Sequence, residues 1–198
     1  MSGAGTPDFF YREAQRLGYV ARSAFKLLQI QKQHKLITQG SSVLDLGCAP
    51  GAWLQVACQS LGPLKNGGTV VGIDLKKVKV PPLYCDARVR TVCADVMKLP
   101  KNQVRALSPR HKGFSVQQLI LTRILEQTGL LNDSVCAADD NGILQPGGHL
   151  VIKLLESEDN KEFSRICKPL FRKASWLRPK ATRSSSREIY LICQGLRS

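Results

Sequence analysis

The sequence predicts an α/β fold, a mostly parallel sheet with helices on both faces, and three observations carry that prediction. A short apolar run, Val43 to Leu46, breaks at Gly47, Pro50 and Gly51 and continues as a helical pattern, AWLQVACQSLG, to Gly62. Two further apolar runs follow, Thr69 to Leu75 and Thr91 to Val96, each with an acid near its carboxyl end, Asp74 and Asp95. Strand, glycine turn, helix, then strands ending in acids is the opening of a nucleotide-binding unit, whose ligands lie outside the carboxyl ends of the strands. At 198 residues and 43% apolar composition the chain suits one domain, residues 1–198, around one core.

The remaining elements follow from periodicity and breakers. Tyr19 to Ile37 places Ala24, Leu27, Leu28, Gln31 and Lys35 at helical spacings, with Ser23 as a cap and no Pro or Gly inside, so it predicts an amphipathic helix carrying Lys26. In QQLILTRILEQTGLL the residues Leu119, Ile120, Arg123, Ile124 and Gln127 keep a period of about 3.6 and Gly129 can end it, so this stretch reads as a helix. An alternating α/β chain needs a strand there, and a defect at the fourth strand is the consequence. Pro146 to Gly148 forms a turn before a strand at Leu150 to Leu155, and NKEFSRICKPLFRKA reads as a helix interrupted near Pro169. KASWLRP and REIYLICQG close the chain as two strands around a basic, serine-rich loop, Ala181 to Arg187.

Charge narrows the partner. The formal charge is +14 and the mean hydropathy −0.14, with no run approaching the roughly 20 apolar residues of a membrane span. The excess is uneven: residues 1–40, 65–112 and 161–198 carry nets of +4, +8 and +8, whereas 113–160 carries −5. Such a chain presents a positive face to a polyanion such as RNA. Seven cysteines form no CxxC pair and most sit in apolar runs, which fits small core residues in a reducing compartment rather than a zinc site or disulfide framework. The first residues lack a secretory signal's apolar core, and an intracellular address, mitochondrion or cytoplasm, is expected.

The turn Asp45-Leu46-Gly47-Cys48-Ala49-Pro50-Gly51-Ala52-Trp53 differs from the G-x-G-x-x-G spacing that seats a pyrophosphate, which argues for a ligand without phosphates. Asp74 is placed to accept from ribose hydroxyls, and Asp95 from an adenine amino group. Lys153 stands out for another reason: it lies inside the apolar strand VIKLL, where an unpaired ammonium is costly to bury. A lysine is a general base only when burial or neighbours favour its neutral form.

RSAFKLLQI, DLGCAPGAW, GIDL, LQPGGHLVIKLL and SSREIYLICQG, in this order over about residues 11 to 197, resemble the FtsJ/RrmJ family of RNA ribose 2′-O-methyltransferases. The resemblance implies a Rossmann-like methyltransferase sheet binding S-adenosylmethionine at Gly47, Gly51, Trp53, Asp74 and Asp95, and no metal. It also implies a Lys-Asp-Lys-Glu tetrad, whose lysines match Lys26 and Lys153 and whose glutamate matches Glu188. The implied substrate is a ribose, that of a uridine in ribosomal RNA, and the implied partner ribosomal RNA or a large-subunit particle, met by a monomer without membrane attachment.

One departure stands against this pattern. The family's aspartate belongs to a Ser-Asp-Met type strand end that should follow Phe114-Ser115-Val116, yet this chain continues Gln117-Gln118-Leu119-Ile120-Leu121 with no acid before Glu126. Asp133, Asp139 and Asp140 are the acids nearby, with no spacing that aims them at the site. The alternative function is therefore a catalytically silent RNA-binding or ribosome-assembly protein. A nicotinamide-dependent oxidoreductase is the rival suggested by the strand-glycine-helix unit alone.

Overall fold

The computed structural model describes residues 8–107, 118–122, 144–157 and 160–197. Its elements in chain order are α1 (Phe9–Leu17), α2 (Ala24–His34), β1 (Ser42–Leu46), α3 (Ala52–Ser60), β2 (Thr69–Asp74), β3 (Val89–Cys93), α4 (Lys101–Leu107), β4 (Gln118–Thr122), β5 (His149–Leu155), α5 (Asn160–Leu170), β6 (Phe171–Leu177) and β7 (Glu188–Leu196). The seven strands form one sheet in the order β3-β2-β1-β4-β5-β7-β6. β3 through β5 are parallel, and β7 runs antiparallel to both β5 and β6.

Burial follows from this layering. A central parallel strand is covered on both faces, and Ser42–Leu46 is buried at every position. α3 packs so deeply that Ala52 to Cys58 are all buried, the polar Gln55 included, so the helix is covered all round rather than on one face. One core cluster joins α2, α3 and the sheet through Leu27, Ile30, Trp53 and Tyr190, and a second joins Cys167 and Phe171 to Leu44, Ile73 and Leu191. Among the described residues, no helix is long and apolar enough to cross a membrane.

The expected defect at the fourth strand is corrected. Gln118–Thr122 is β4, in register with Ser42–Leu46 on one side and, from Leu119, with His149–Ile152 on the other. A short apolar run has the same spelling in a buried helix and in a buried parallel strand, so periodicity cannot separate them. Here the open edges of β1 and β5 decide, since each needs backbone partners along its length. The rest of the expected helix, and Asp133, Asp139 and Asp140, lie outside the described residues.

Three smaller differences concern helices. α1 was not expected, although Asp8 caps it by accepting from the Tyr11 N–H at 2.9 Å and Gly18 ends it in the left-handed region. The Tyr19 to Ile37 helix is shorter, Ala24–His34. α5 runs through Pro169 and ends at Leu170, directly before β6.

The order β2-β1-β4 places the topological switch at the carboxyl end of β1. The chain crosses to one side for β2 and β3 and to the other for β4 and β5, and the crevice between opposite crossovers is where such sheets bind ligands.

Candidate active site

The glycine turn occupies that crevice. Gly47 leaves β1 with φ +76° and donates its N–H to the Ile73 carbonyl at 2.8 Å, which fastens the turn to β2. The Gly51 N–H closes the turn on the Cys48 carbonyl at 2.7 Å, and Gly51 has φ +106°, a conformation that side chains resist. Gly72 in β2 lies beneath: a Cβ there would stand 2.7 Å from the Cys48 Sγ. That residue was not singled out in the sequence, although a glycine inside a strand signals close approach of this kind.

Asp74, at the end of β2, braces the turn. Its Oδ2 accepts from the Ala49 N–H at 2.9 Å and its Oδ1 from the Lys76 N–H at 2.8 Å. A carboxylate has about four acceptor sites, so capacity remains for hydroxyl donors. Asp95 lies two residues beyond β3, next to Ala94, whose N–H donates to the Asp74 carbonyl at 2.9 Å. Its Oδ1 accepts from the Met97 N–H at 2.9 Å.

The Trp53 indole is fully buried: it donates from Nε1 to the Ser23 carbonyl at 2.9 Å and stacks on Tyr190 with ring centroids 5.8 Å apart. The apolar burial of α3 takes the side chain inward, where it ties the turn's helix to the residue before α2 and to β7.

Tyr190 leads to the second half of the site. Its hydroxyl donates to Oε1 of Glu188, two residues away on the same face of β7. Lys26 of α2 meets that oxygen at 2.6 Å, and Lys153 of β5 lies 3.4 Å from Oε2. The three residues matched by resemblance are thus brought together, and Tyr190 is a fourth member that the sequence reading missed. The register explains the meeting: Lys153 pairs with Tyr190 and Leu155 with Glu188 across β5 and β7. Because β5 runs parallel to β1 through β4, its carboxyl end and the glycine turn share one edge of the sheet.

The cluster is only partly hydrated, with side-chain exposures of 13% for Lys26, 24% for Lys153 and 10% for Glu188. Burial pushes the Lys26 ammonium below its ordinary range, against the opposing effect of its bond to Glu188. Burial alone would raise the Glu188 carboxyl, but the bonds from Lys26 and Tyr190 and the charges of both lysines outweigh it and hold it low. Two lysine side chains thus share one carboxylate, one on each oxygen.

The loop leading into Glu188 is fixed to α2. The Ala181 N–H donates to Gln29 Oε1 at 3.1 Å, and the Ala181 carbonyl accepts from Arg22 at 2.7 Å. Arg22 and Arg183 both pair with Asp8 at the start of α1.

Beside the turn opens a cleft of about 460 Å³, lined by Val20, Ala49, Pro50 and the run Lys76 to Pro82. Among the described residues, no group of three or more His, Cys, Asp or Glu side chains could hold a metal ion.

A family model described as FtsJ-like methyltransferase matches residues 19–196. A ribosomal RNA large subunit methyltransferase E from Desulfosudis oleivorans is 32% identical over 194 residues, covering 96% of this chain and 91% of the relative. The protein of that name from Nitrosopumilus maritimus is 34% identical, covering 95% and 94%. Among solved structures, a ribosomal RNA methyltransferase from Plasmodium falciparum superposes with a TM-score of 0.65 at 18% identity, over 90% of this chain and 98% of that one. That likeness supports the fold, and the sequence relatives support the activity class: the chain belongs to the FtsJ-like methyltransferase family and is a methyltransferase.

Proposed function

We propose that the protein transfers a methyl group from S-adenosylmethionine to a ribose 2′-hydroxyl of ribosomal RNA. The observation that carries this reading is the convergence of Lys26 and Lys153 on Glu188 at the same sheet edge as the glycine turn. The names of the sequence relatives support ribosomal RNA as the substrate class. They lend no support to a silent RNA-binding protein, and the turn's spacing does not favour a nicotinamide dinucleotide.

The residues present fit the donor. The bare backbone of Gly47 to Gly51 lets a nucleoside approach, and Asp74 has acceptor sites left for a ribose diol while Asp95 stands on the adjoining loop. When bound, S-adenosylmethionine supplies an electrophilic methyl group. The chain's own part is to hold and deprotonate the acceptor. As the neutral amine, Lys153 takes the proton of the 2′-hydroxyl while the oxygen takes the methyl group, and Glu188 fixes Lys153 through Oε2 while binding Lys26 and Tyr190 through Oε1. The Lys26 ammonium, and Lys153 once it has taken the proton, stabilise negative charge as it develops on the ribose oxygen.

The test is methyl transfer from isotopically labelled donor to large-subunit ribosomal RNA, followed by digestion to nucleosides. Label in a 2′-O-methylated nucleoside is expected. Label on a base would overturn the assignment of the acceptor, and binding of donor and RNA without transfer would overturn the activity.

A further inference from the structure

The cleft beside the turn is lined by Lys76, Lys77 and Lys79, and none of its ten lining residues is acidic. Asp74 is the nearest acid in sequence; it braces the backbone N–H groups of Ala49 and Lys76 and does not line the cleft. The rest of the lining is apolar, including Val20, Val80 and Pro82. S-adenosylmethionine carries a sulfonium cation, which three ammonium groups disfavour. A ligand with phosphates and an apolar face suits the same lining, and about 460 Å³ lies within the usual range of small-ligand sites.

The walls are held before any ligand arrives. Gln55 is fully buried in α3 and reaches both sides: its Oε1 accepts from the Val20 N–H at 2.9 Å, while its Nε2 donates to the Gly18 and Leu83 carbonyls, each at 3.0 Å. The lysine run is tied to the turn through Asp74 and to β3 through Thr91, whose hydroxyl donates to the Val78 carbonyl at 2.8 Å. Pro81 packs against Gly51, where a Cβ would stand 3.0 Å from its Cγ. The backbone that carries the three exposed lysines is therefore fixed at both ends, which sets where their charges emerge.

We infer that this cleft is a second RNA subsite, distinct from the lysine and glutamate cluster, which seats a single-stranded segment of the substrate. Its phosphates lie on Lys76, Lys77 and Lys79, and a base or ribose face lies against Val20, Val80 and Pro82. The inference rests on RNA being the substrate and adds where the strand runs: along the lysine run, beside Ala49 and Pro50 of the turn. Phosphate contacts of this kind position a strand without reading its bases.

The experiment titrates a single-stranded ribosomal RNA fragment into the full chain at several salt concentrations. It compares wild type with the triple variant Lys76→Ser, Lys77→Ser, Lys79→Ser and with an equal charge loss on α5 and β6, Lys161→Ser, Lys168→Ser, Lys173→Ser. Each lost contact to a single strand should flatten the log affinity against log salt plot by about 0.7, so the cleft variant should lose about 2 units of slope and at least tenfold in affinity at low salt. S-adenosylmethionine affinity should stay within twofold, and the α5 and β6 variant should keep the wild-type slope. An unchanged slope in the cleft variant overturns the inference. So does an equal loss in both variants, which would mean that only net charge matters, or a loss of donor affinity with RNA binding intact, which would make the cleft the donor's. A wild type that methylates RNA while the cleft variant matches it sinks the subsite alone; a wild type that neither binds nor methylates RNA sinks the proposed function with it.

Discussion

Around Gly47 to Gly51 the chain builds its site from its own backbone, with N–H groups bonded to the carbonyls of Ile73 and Cys48 and to the Asp74 carboxylate. The other half joins side chains from three separate elements, and the Lys26 to Glu188 pair spans 162 positions. The first half is short-range and its charge is braced by amides. The second is long-range and its charges brace each other. Under the proposed function the difference separates their roles: a backbone turn can hold a nucleoside without changing its own ionisation, whereas a lysine held by a shared carboxylate can take up a proton.

The largest effects should come from breaking the shared carboxylate. Glu188→Gln keeps the shape but leaves Lys26 and Lys153 without their counter-charge, and the methyl-transfer rate should fall about 10²- to 10⁴-fold. Stability should fall by about 2–4 kcal/mol, near the range for breaking a buried pair. Single-turnover assays and denaturant titration read the two losses separately, and a variant as active as wild type would remove Glu188 from the chemistry.

A smaller effect of a different kind is expected on the turn side. Asp74→Asn should weaken donor binding by about 1–3 kcal/mol through loss of charge-assisted hydrogen bonds. The rate at saturating donor should stay within a fewfold of wild type. Calorimetry and a kcat against KM comparison would show whether this half binds and the other half reacts; a lost kcat with unchanged affinity would reverse the comparison.

The smallest effect is on acid stability. Glu188 is held below the ordinary carboxylate range, its burial outweighed by Lys26 and Tyr190, and Asp86 is lowered to about 2 by its bonds to Arg88. The folded protein therefore binds fewer protons than the unfolded chain. This contribution is complete above the ordinary values of about 4 to 4.5 and is lost as pH falls through the folded values. Glu188→Gln and Asp86→Asn should each flatten the loss of stability with acid, and water reduces the Asp86 part because its side chain is 36% exposed. Denaturant midpoints between about pH 2 and pH 6 would rank the two variants.

The same contrast governs what could be read from the sequence. The turn, β2 with Asp74 and the deep helix α3 are contiguous, and their apolar runs and glycines mark them locally. Lys153 was visible as a charge in an apolar strand, but its meeting with Glu188 depends on the register of β5 against β7, which no local pattern reports. Only resemblance joined Lys26 and Glu188 to it. Trp53 was read from its place beside the turn, and its side chain points into a core completed by Tyr190, 137 positions away. β4 was misread because Leu119, Ile120 and Leu121 satisfy both a buried strand and a helix, and the choice lies with the edges of β1 and β5. α1 was overlooked although Asp8 and Gly18 mark its ends in the usual way.

The most direct test of the division between the two halves is Lys153→Arg, assayed for single-turnover methyl transfer with donor and RNA affinities measured in parallel. Arginine can still pair with Glu188, but it stays protonated at working pH and cannot accept a proton. If Lys153 takes the hydroxyl proton, transfer should fall at least 100-fold while both affinities stay within a fewfold. A variant that transfers the methyl group at close to the wild-type rate would contradict the role of Lys153 as base and leave it a charge that only holds the substrate.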